Sequence, residues 1–270
     1  MIDLELLYKN PLTLQAMIAQ KEGFFKELDV PVNIKLIDYL PGFDMTHVTA
    51  NVGDTTKVVE ALKSGNDIVI TSTLTRTMKI ILKRNISPTK KLKLIASSNQ
   101  SLGIYVERKM KELGLSYESI TCKDMKERQK MLDNLEVDGA CMIDPFLLRH
   151  IGTNYELIQE GKDTSYNYTC WAFKGEYARE NPIQVIKFHK ALNKATDFYN
   201  NMKVSDKFTY ASSLLDIDKS LKNFYENLTF VEDTEYSILD LMYVYQWKVE
   251  KENYLNFEID PHKVIFKWKK

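Results

Sequence analysis

The stretch Val58 to Thr73, VVEALKSGNDIVITST, decides how the rest of the chain is read. Val58, Val59 and Leu62 recur at helical spacing, and Ser64-Gly65-Asn66 stops that helix. Asp67 to Ile70 then reads as a buried strand, ending in Thr71-Ser72-Thr73-Leu74 as another helix begins. The plan recurs about seventy residues later as QKMLDNLEVDGACMIDPFLLR, Gln129 to Arg149, with Asp138 in the place of Asp67. A helix, a tight turn, a strand and a polar loop at the next helix's N-terminus present ligand-binding groups. The double occurrence predicts two α/β lobes facing each other across a cleft.

Composition bounds the function. The chain has 270 residues, enough for one large domain or two small ones. Lys plus Arg equals Asp plus Glu at 37 each, which argues against non-specific nucleic-acid binding and against a membrane-surface role. No apolar run approaches the roughly 20 residues of a membrane helix. The start, MIDLELLYKN, lacks a basic region followed by an apolar core, so the expectation is a cytoplasmic protein; a trimmed exported form is the alternative. Cys122, Cys141 and Cys170 lie far apart without CxxC spacing and read as reduced, buried thiols.

In chain order, Ile2 to Tyr8 reads as a strand, stopped by Lys9-Asn10-Pro11. A helix follows with Leu14, Met17, Ile18, Phe25 and Leu28 inward. Val32 to Asp38 is a second strand, Tyr39 to Phe43 a turn, and the stretch to Asn51 a loop. Asp54 or Thr55 caps the helix of the opening stretch. Leu74, Met78, Ile81 and Leu82 then form a helical stripe ending near Asn85, and Ser87 to Lys91 is the candidate crossover. Strands at Leu92–Ala96, Ser119–Cys122 and Gly139–Ile143 alternate with helices at Leu102–Leu113, closed by Gly114, and at Lys126–Leu135. Tyr155–Gln159 and Tyr168–Phe173 are strands. Beyond Asn181-Pro182 the chain reads as mainly helical, and the end, HKVIFKWKK, as a short edge strand.

Four motifs in order carry a resemblance. They are Pro11 with Ala19-Gln20-Lys-Glu-Gly23-Phe24-Phe25, Ala61-Leu-Lys-Ser-Gly65-Asn-Asp67-Ile68, Asp138-Gly-Ala140 with Asp144-Pro145-Phe146, and Arg179-Glu-Asn181-Pro182. Together they resemble type II periplasmic binding proteins, in the branch of nitrate, taurine and alkanesulfonate binders and thiamine-pyrimidine synthases. The resemblance implies an α/β, two-lobed fold, each lobe a mixed sheet flanked by helices, with residues 1–88 and 168–270 in one lobe and 89–167 in the other. It also implies a small anionic or heterocyclic ligand in the cleft; no cofactor is expected, because Thr71 and Thr75 stand where the branch's pyridoxal-phosphate enzymes have a lysine and a histidine. The ligand groups carried over are Asn10, Tyr39, Thr71, Ser72, Thr73, Ser97, Ser98, Asn99, Gln100, Asp144 and Tyr168. One departure is the short crossover, Ile86 to Lys91. Either the second lobe is trimmed, or Leu92 to Glu107 is itself the crossover.

The synthase members hold pyridoxal phosphate on a lysine directly after the strand that matches Ile68 to Ile70, with a histidine four residues on. Thr71 and Thr75 stand there, and Cys170 alone stands where those enzymes have a cysteine-rich run. His47, His150, His189 and His262 lack metal-ligand spacing. His189 falls on an apolar stripe and reads as a packed side chain. The chain has no GxSxG, P-loop or GxGxxG. Thr71 to Thr73 would cap a helix, bind a ligand, or do both. Asp144-Pro145 is read as a helix start, with a ligand role implied by the resemblance alone. Arg76 supplies a charge-assisted bond there or points to solvent. The expectation is a cytosolic, non-transport small-molecule binder. The alternatives are an enzyme of thiamine-pyrimidine type and a transporter's solute receptor.

Overall fold

The computed structural model describes residues 1–7, 10–37, 45–87, 89–96, 100–122, 124–252, 254 and 257–268. The chain divides into a first unit, Met1–Thr75 with Thr169–Met242 and Asn256–Lys270, and a second, Arg76–Tyr168 with Tyr243–Leu255.

The first unit opens with β1 (Ile2–Leu7), α1 (Thr13–Lys21), α2 (Phe24–Glu27), β2 (Val32–Ile37), β3 (Ala50–Asp54), α3 (Thr55–Lys63) and β4 (Ile68–Thr73). In the second unit follow β5 (Met78–Lys83), β6 (Leu92–Ile95), α4 (Ser101–Leu113), β7 (Tyr117–Ile120), α5 (Met125–Asp133), β8 (Gly139–Ile143) and β9 (Tyr155–Glu160). The chain then adds β10 (Thr169–Lys174), α6 (Gly175–Glu180), α7 (Pro182–Asn200), α8 (Val204–Ser212) and α9 (Lys222–Asn227) to the first unit. Helix α10 (Ile238–Glu252) passes to the second unit at Tyr243, and α11 (Pro261–Val264) belongs to the first.

The two sheets share one plan. In the first the order is β2-β1-β3-β10-β4, with β10 antiparallel to β3 and β4 and the other described pairing parallel. In the second it is β7-β6-β8-β5-β9, with β5 antiparallel to β8 and β9. Each antiparallel strand is the one the chain enters on changing unit. The likeness extends to irregularities. Thr71 is the extra residue where β4 slips against β10, and Ile158 is the extra residue where β9 slips against β5. Each is the fourth residue of its strand. In the first unit Leu14, Ile18, Phe188 and Leu192 pack α1 and α7 onto Trp171 and Phe173 of β10. In the second, Leu132 of α5 packs on Ile81, Ala140 and Met142.

Several expectations are corrected. Residues 78–83 form strand β5, not a helix. Met78, Ile80, Ile81 and Leu82 are all buried, because the strand lies between two neighbours and is covered on both faces. Such a run satisfies helical spacing by coincidence. This removes the crossover problem: the second unit starts at Arg76, with five strands. The division expected at 88 lies at Thr75, and Tyr243–Leu255 sits with the second unit. The stretch before Asn51 is not all loop, since β3 begins at Ala50. Thr71, Ser72 and Thr73 continue β4. The end is the short helix α11, followed by a single bridge from Ile265 to Ile70. The repeat is also out of phase as read from Asp67 and Asp138. Strand β4 holds the outer place that β9 holds in the other sheet, whereas β8 corresponds to β3. Asp67 accordingly pairs with Arg179, and Asp138 accepts Lys90 Nζ at 2.7 Å and the Lys93 N–H at 3.0 Å.

Burial sets an alkaline limit on the fold. Tyr155 in the second unit and Tyr225 in the first are each 1% exposed, and loss of solvation pushes both phenols up to about 12. The unfolded phenol ionises near pH 10. The folded-state value is the higher one, so their contribution is fully present below about pH 10 and is lost as the pH rises from there to about 12. A urea midpoint falling over that window, with late phenolate absorbance, is the expected result. A midpoint flat to pH 12 would contradict it.

Candidate functional site

The strands of each unit that run in parallel bring their carboxyl ends to one sheet edge, where α/β folds carry their ligand groups. In the first unit this edge holds Asn10, Asp54 to Thr56 and Thr73. Asn10 is half-buried, and its Oδ1 accepts the Leu12 N–H at 3.0 Å at the entry to α1. Asp54 caps α3, accepting the Thr56 N–H at 2.8 Å. Thr55 Oγ1 lies 2.9 Å from the Tyr236 hydroxyl. The half-buried Thr73 donates its N–H to the Thr234 carbonyl at 3.0 Å, and the two hydroxyls are 3.1 Å apart.

Thr71 and Ser72 are fully buried and serve the interior. The slip in β4 turns the Thr71 hydroxyl to His189, with Oγ1 2.8 Å from Nε2. His189 Nδ1 is 2.6 Å from Asp233 Oδ2. The other carboxylate oxygen of Asp233 accepts Gln15 Nε2 at 3.3 Å, and the Thr71 carbonyl accepts Trp268 Nε1 at 2.7 Å. Burial pushes the Asp233 carboxyl above its ordinary range, opposed by the bond to His189. The order hydroxyl, imidazole, carboxylate is that of an activated nucleophile. The three side chains partner one another in the interior, and their work is to tie β4, α1, α7 and the C-terminal segment together.

In the second unit the corresponding edge holds Gln100, Ser101, Asp144 and Tyr168. Gln100 is half-buried at the N-cap of α4. Ser101 is buried and donates its hydroxyl to the Tyr168 carbonyl at 2.8 Å. Asp144 follows β8 directly and is succeeded by turns, not by the helix expected there. Its Oδ2 accepts Lys79 Nζ at 2.7 Å, while its buried Oδ1 accepts nothing among the described residues. Burial raises the Asp144 carboxyl pKa, and Lys79 opposes that shift. Tyr168 is fully buried; its hydroxyl accepts from Arg108, whose guanidinium lies 3.8 Å from the Tyr166 ring and 4.6 Å from the Tyr243 ring. Arg76 donates to Thr164 and to the Tyr166 carbonyl at 3.2 Å, so its guanidinium fastens a loop of its own unit. Tyr39, Ser97, Ser98 and Asn99 lie outside the described residues.

No protein-family model and no curated protein sequence matches the chain. Solved structures do. The periplasmic aliphatic sulphonate binding protein SsuA from Escherichia coli aligns over 98% of this chain and 96% of its own, with a TM-score of 0.76 at 11% identity. A Candida albicans protein exhibiting the generic periplasmic binding protein structural fold aligns over 96% and 92%, at 14% identity and a TM-score of 0.64. The periplasmic nitrate-binding protein NrtA from Synechocystis PCC 6803 covers 86% of this chain and 73% of its own, at 11% identity and a TM-score of 0.57. The chain has the periplasmic-binding-protein fold.

In this binding-protein fold the cysteines of the two sheets belong to the core. Cys170 is fully buried in β10, and loss of solvation pushes its thiol up to about 12, far from a thiolate nucleophile. Cys141, equally buried in β8, is pushed up further. Among the described residues no cluster of three or more His, Cys, Asp or Glu is placed to hold a metal ion. None of their helices is long and apolar enough to cross a membrane. Sequence reading missed Asp233, Thr234 and Tyr236, which engage Thr71, Thr73 and Thr55 through His189 or directly. They lie in a segment with neither helical nor strand period, so no pattern marked them.

Proposed function

We propose that the chain binds a small, polar metabolite, anionic or heterocyclic, at a carboxyl strand edge, and that it performs no chemistry on it. The observation that carries this reading is the pair of like-ordered sheets. Each offers polar residues at its carboxyl edge: Asn10 and Thr73 in the first, Gln100 and Asp144 in the second. The sulphonate- and nitrate-binding names of the structural neighbours support the ligand class. They also favour a transporter's solute receptor over the cytoplasmic, non-transport setting expected from the sequence.

A thermal-shift screen of the full chain against sulfonates, nitrate, taurine, pyrimidines and pyridoxal phosphate tests the reading. A ligand at a hundred times its Kd stabilises the native state by about 2.7 kcal/mol, an easily read rise in melting temperature. A rise with one chemical class is the expected result. A Schiff-base absorbance with pyridoxal phosphate, trapped on a lysine by borohydride, would favour the thiamine-pyrimidine type of enzyme instead.

A further inference from the structure

We propose that Asp144 recognises an amino group, so that the ligand presents an N–H donor to carboxylate oxygen Oδ1. The proposal rests on the small-molecule-binding reading above and narrows it. Asp144 is 5% exposed, and its two oxygens differ sharply. Oδ2 accepts Lys79 Nζ at 2.7 Å, whereas Oδ1 is buried and accepts no hydrogen bond from the described residues. Buried carboxylate oxygens are nearly always supplied with a donor, because an unmade bond there forfeits solvation without return.

The position is built. The Asp144 N–H donates to the Thr77 carbonyl at 2.7 Å, which fixes the backbone at the end of β8. The Lys79 bond fixes the carboxylate plane. The surrounding charges decide what Oδ1 accepts. Lys79 also lies 3.4 Å from Glu160, whose second oxygen pairs with Lys162 at 2.6 Å. With Asp163 also acting on Lys162, three carboxylates face two ammonium groups, and the free oxygen remains an acceptor in a cluster without excess positive charge. An oxyanion placed there would meet a like charge. A hydroxyl would bring one donor, whereas an amino or ammonium group brings two or three and a favourable charge.

Calorimetric titration of the full chain with matched pairs tests this. The probes are an aminoalkanesulfonate against the alkanesulfonate of the same length, and an aminopyrimidine against pyrimidine. The amino member of at least one pair is expected to bind about tenfold tighter or better. In Asp144→Asn that preference is expected to fall below about threefold, because the amide is uncharged and half of it is itself a donor. Equal affinity within both pairs, or a preference that survives in Asp144→Asn, overturns the proposal and leaves the small-molecule reading standing. Binding by no member of either pair overturns both. The wild-type comparison decides even if the variant does not fold.

Discussion

Replacing His189 with alanine should destabilise the folded chain by about 3–5 kcal/mol, the cost of stripping a buried charge of its partner. His189 is 0% exposed and bridges two groups on distant elements. Its Nδ1 lies 2.6 Å from Asp233 Oδ2 and its Nε2 2.8 Å from Thr71 Oγ1. Without the ring, Asp233 loses its 2.6 Å partner and keeps the bonds from Gln15, at 3.3 Å, and Ser72, in a place that already opposes its ionisation. Thr71 loses its partner in the same step and falls back on the Trp171 carbonyl at 3.3 Å. The ring also fills space against Phe188 and Trp268, so its removal leaves a cavity. Urea unfolding of His189→Ala, Asp233→Ala and the double variant checks the account. The double variant should cost clearly less than the sum of the two singles, since each single leaves the other's polar group stranded. Additive effects, or a loss under about 1 kcal/mol in His189→Ala, would show that the three side chains do not act as one unit.

Gly139→Ala should be nearly as damaging, through packing instead of charge. A Cβ at Gly139 would stand 2.3 Å from the Ile81 carbonyl oxygen, 2.7 Å from Leu82 Cδ2 and 3.0 Å from Leu94 Cδ2. The first of these is backbone of the β5–β8 ladder, one pair from Gly139, and cannot move without disturbing it. Overpacking of ordinary core sites costs about 1–3 kcal/mol, and this site belongs at or above the top of that range. The expected readout is a lower urea midpoint, with hydrogen exchange accelerated first in β5, β6 and β8. A change within about 0.5 kcal/mol would mean that β5 does not pair with β8 as described.

How far the fold was legible follows from which elements are half-exposed. Helix α3 shows its period, its Asp54 cap and its glycine stop, and α4 ends at Gly114 with a φ of 66°, as a glycine in that position announces. Strand β5 was not legible, because MKIILK is buried on both faces and so has no polar alternation to mark it as a strand. The hydroxyls of β4 misled for a related reason. Thr71 and Ser72 look like a surface loop, yet the partner that makes Thr71 acceptable in the interior, His189, lies 118 residues away. His189 itself was read correctly as packed, since the apolar stripe of α7 carries it inward. At the second unit's edge Asp144 stood out as a polar residue after an apolar strand. Its unequal oxygens depend on Lys79, which the helical reading of that segment had placed on a different element.

The most direct test of ligand binding is hydrogen exchange of the full chain, free and with saturating aminoalkanesulfonate or aminopyrimidine. The account predicts slowed exchange at the carboxyl strand edge of the second unit, around Gln100 to Ser101 and Asp144. Slowing only away from that edge, or found with no compound at all, would contradict it.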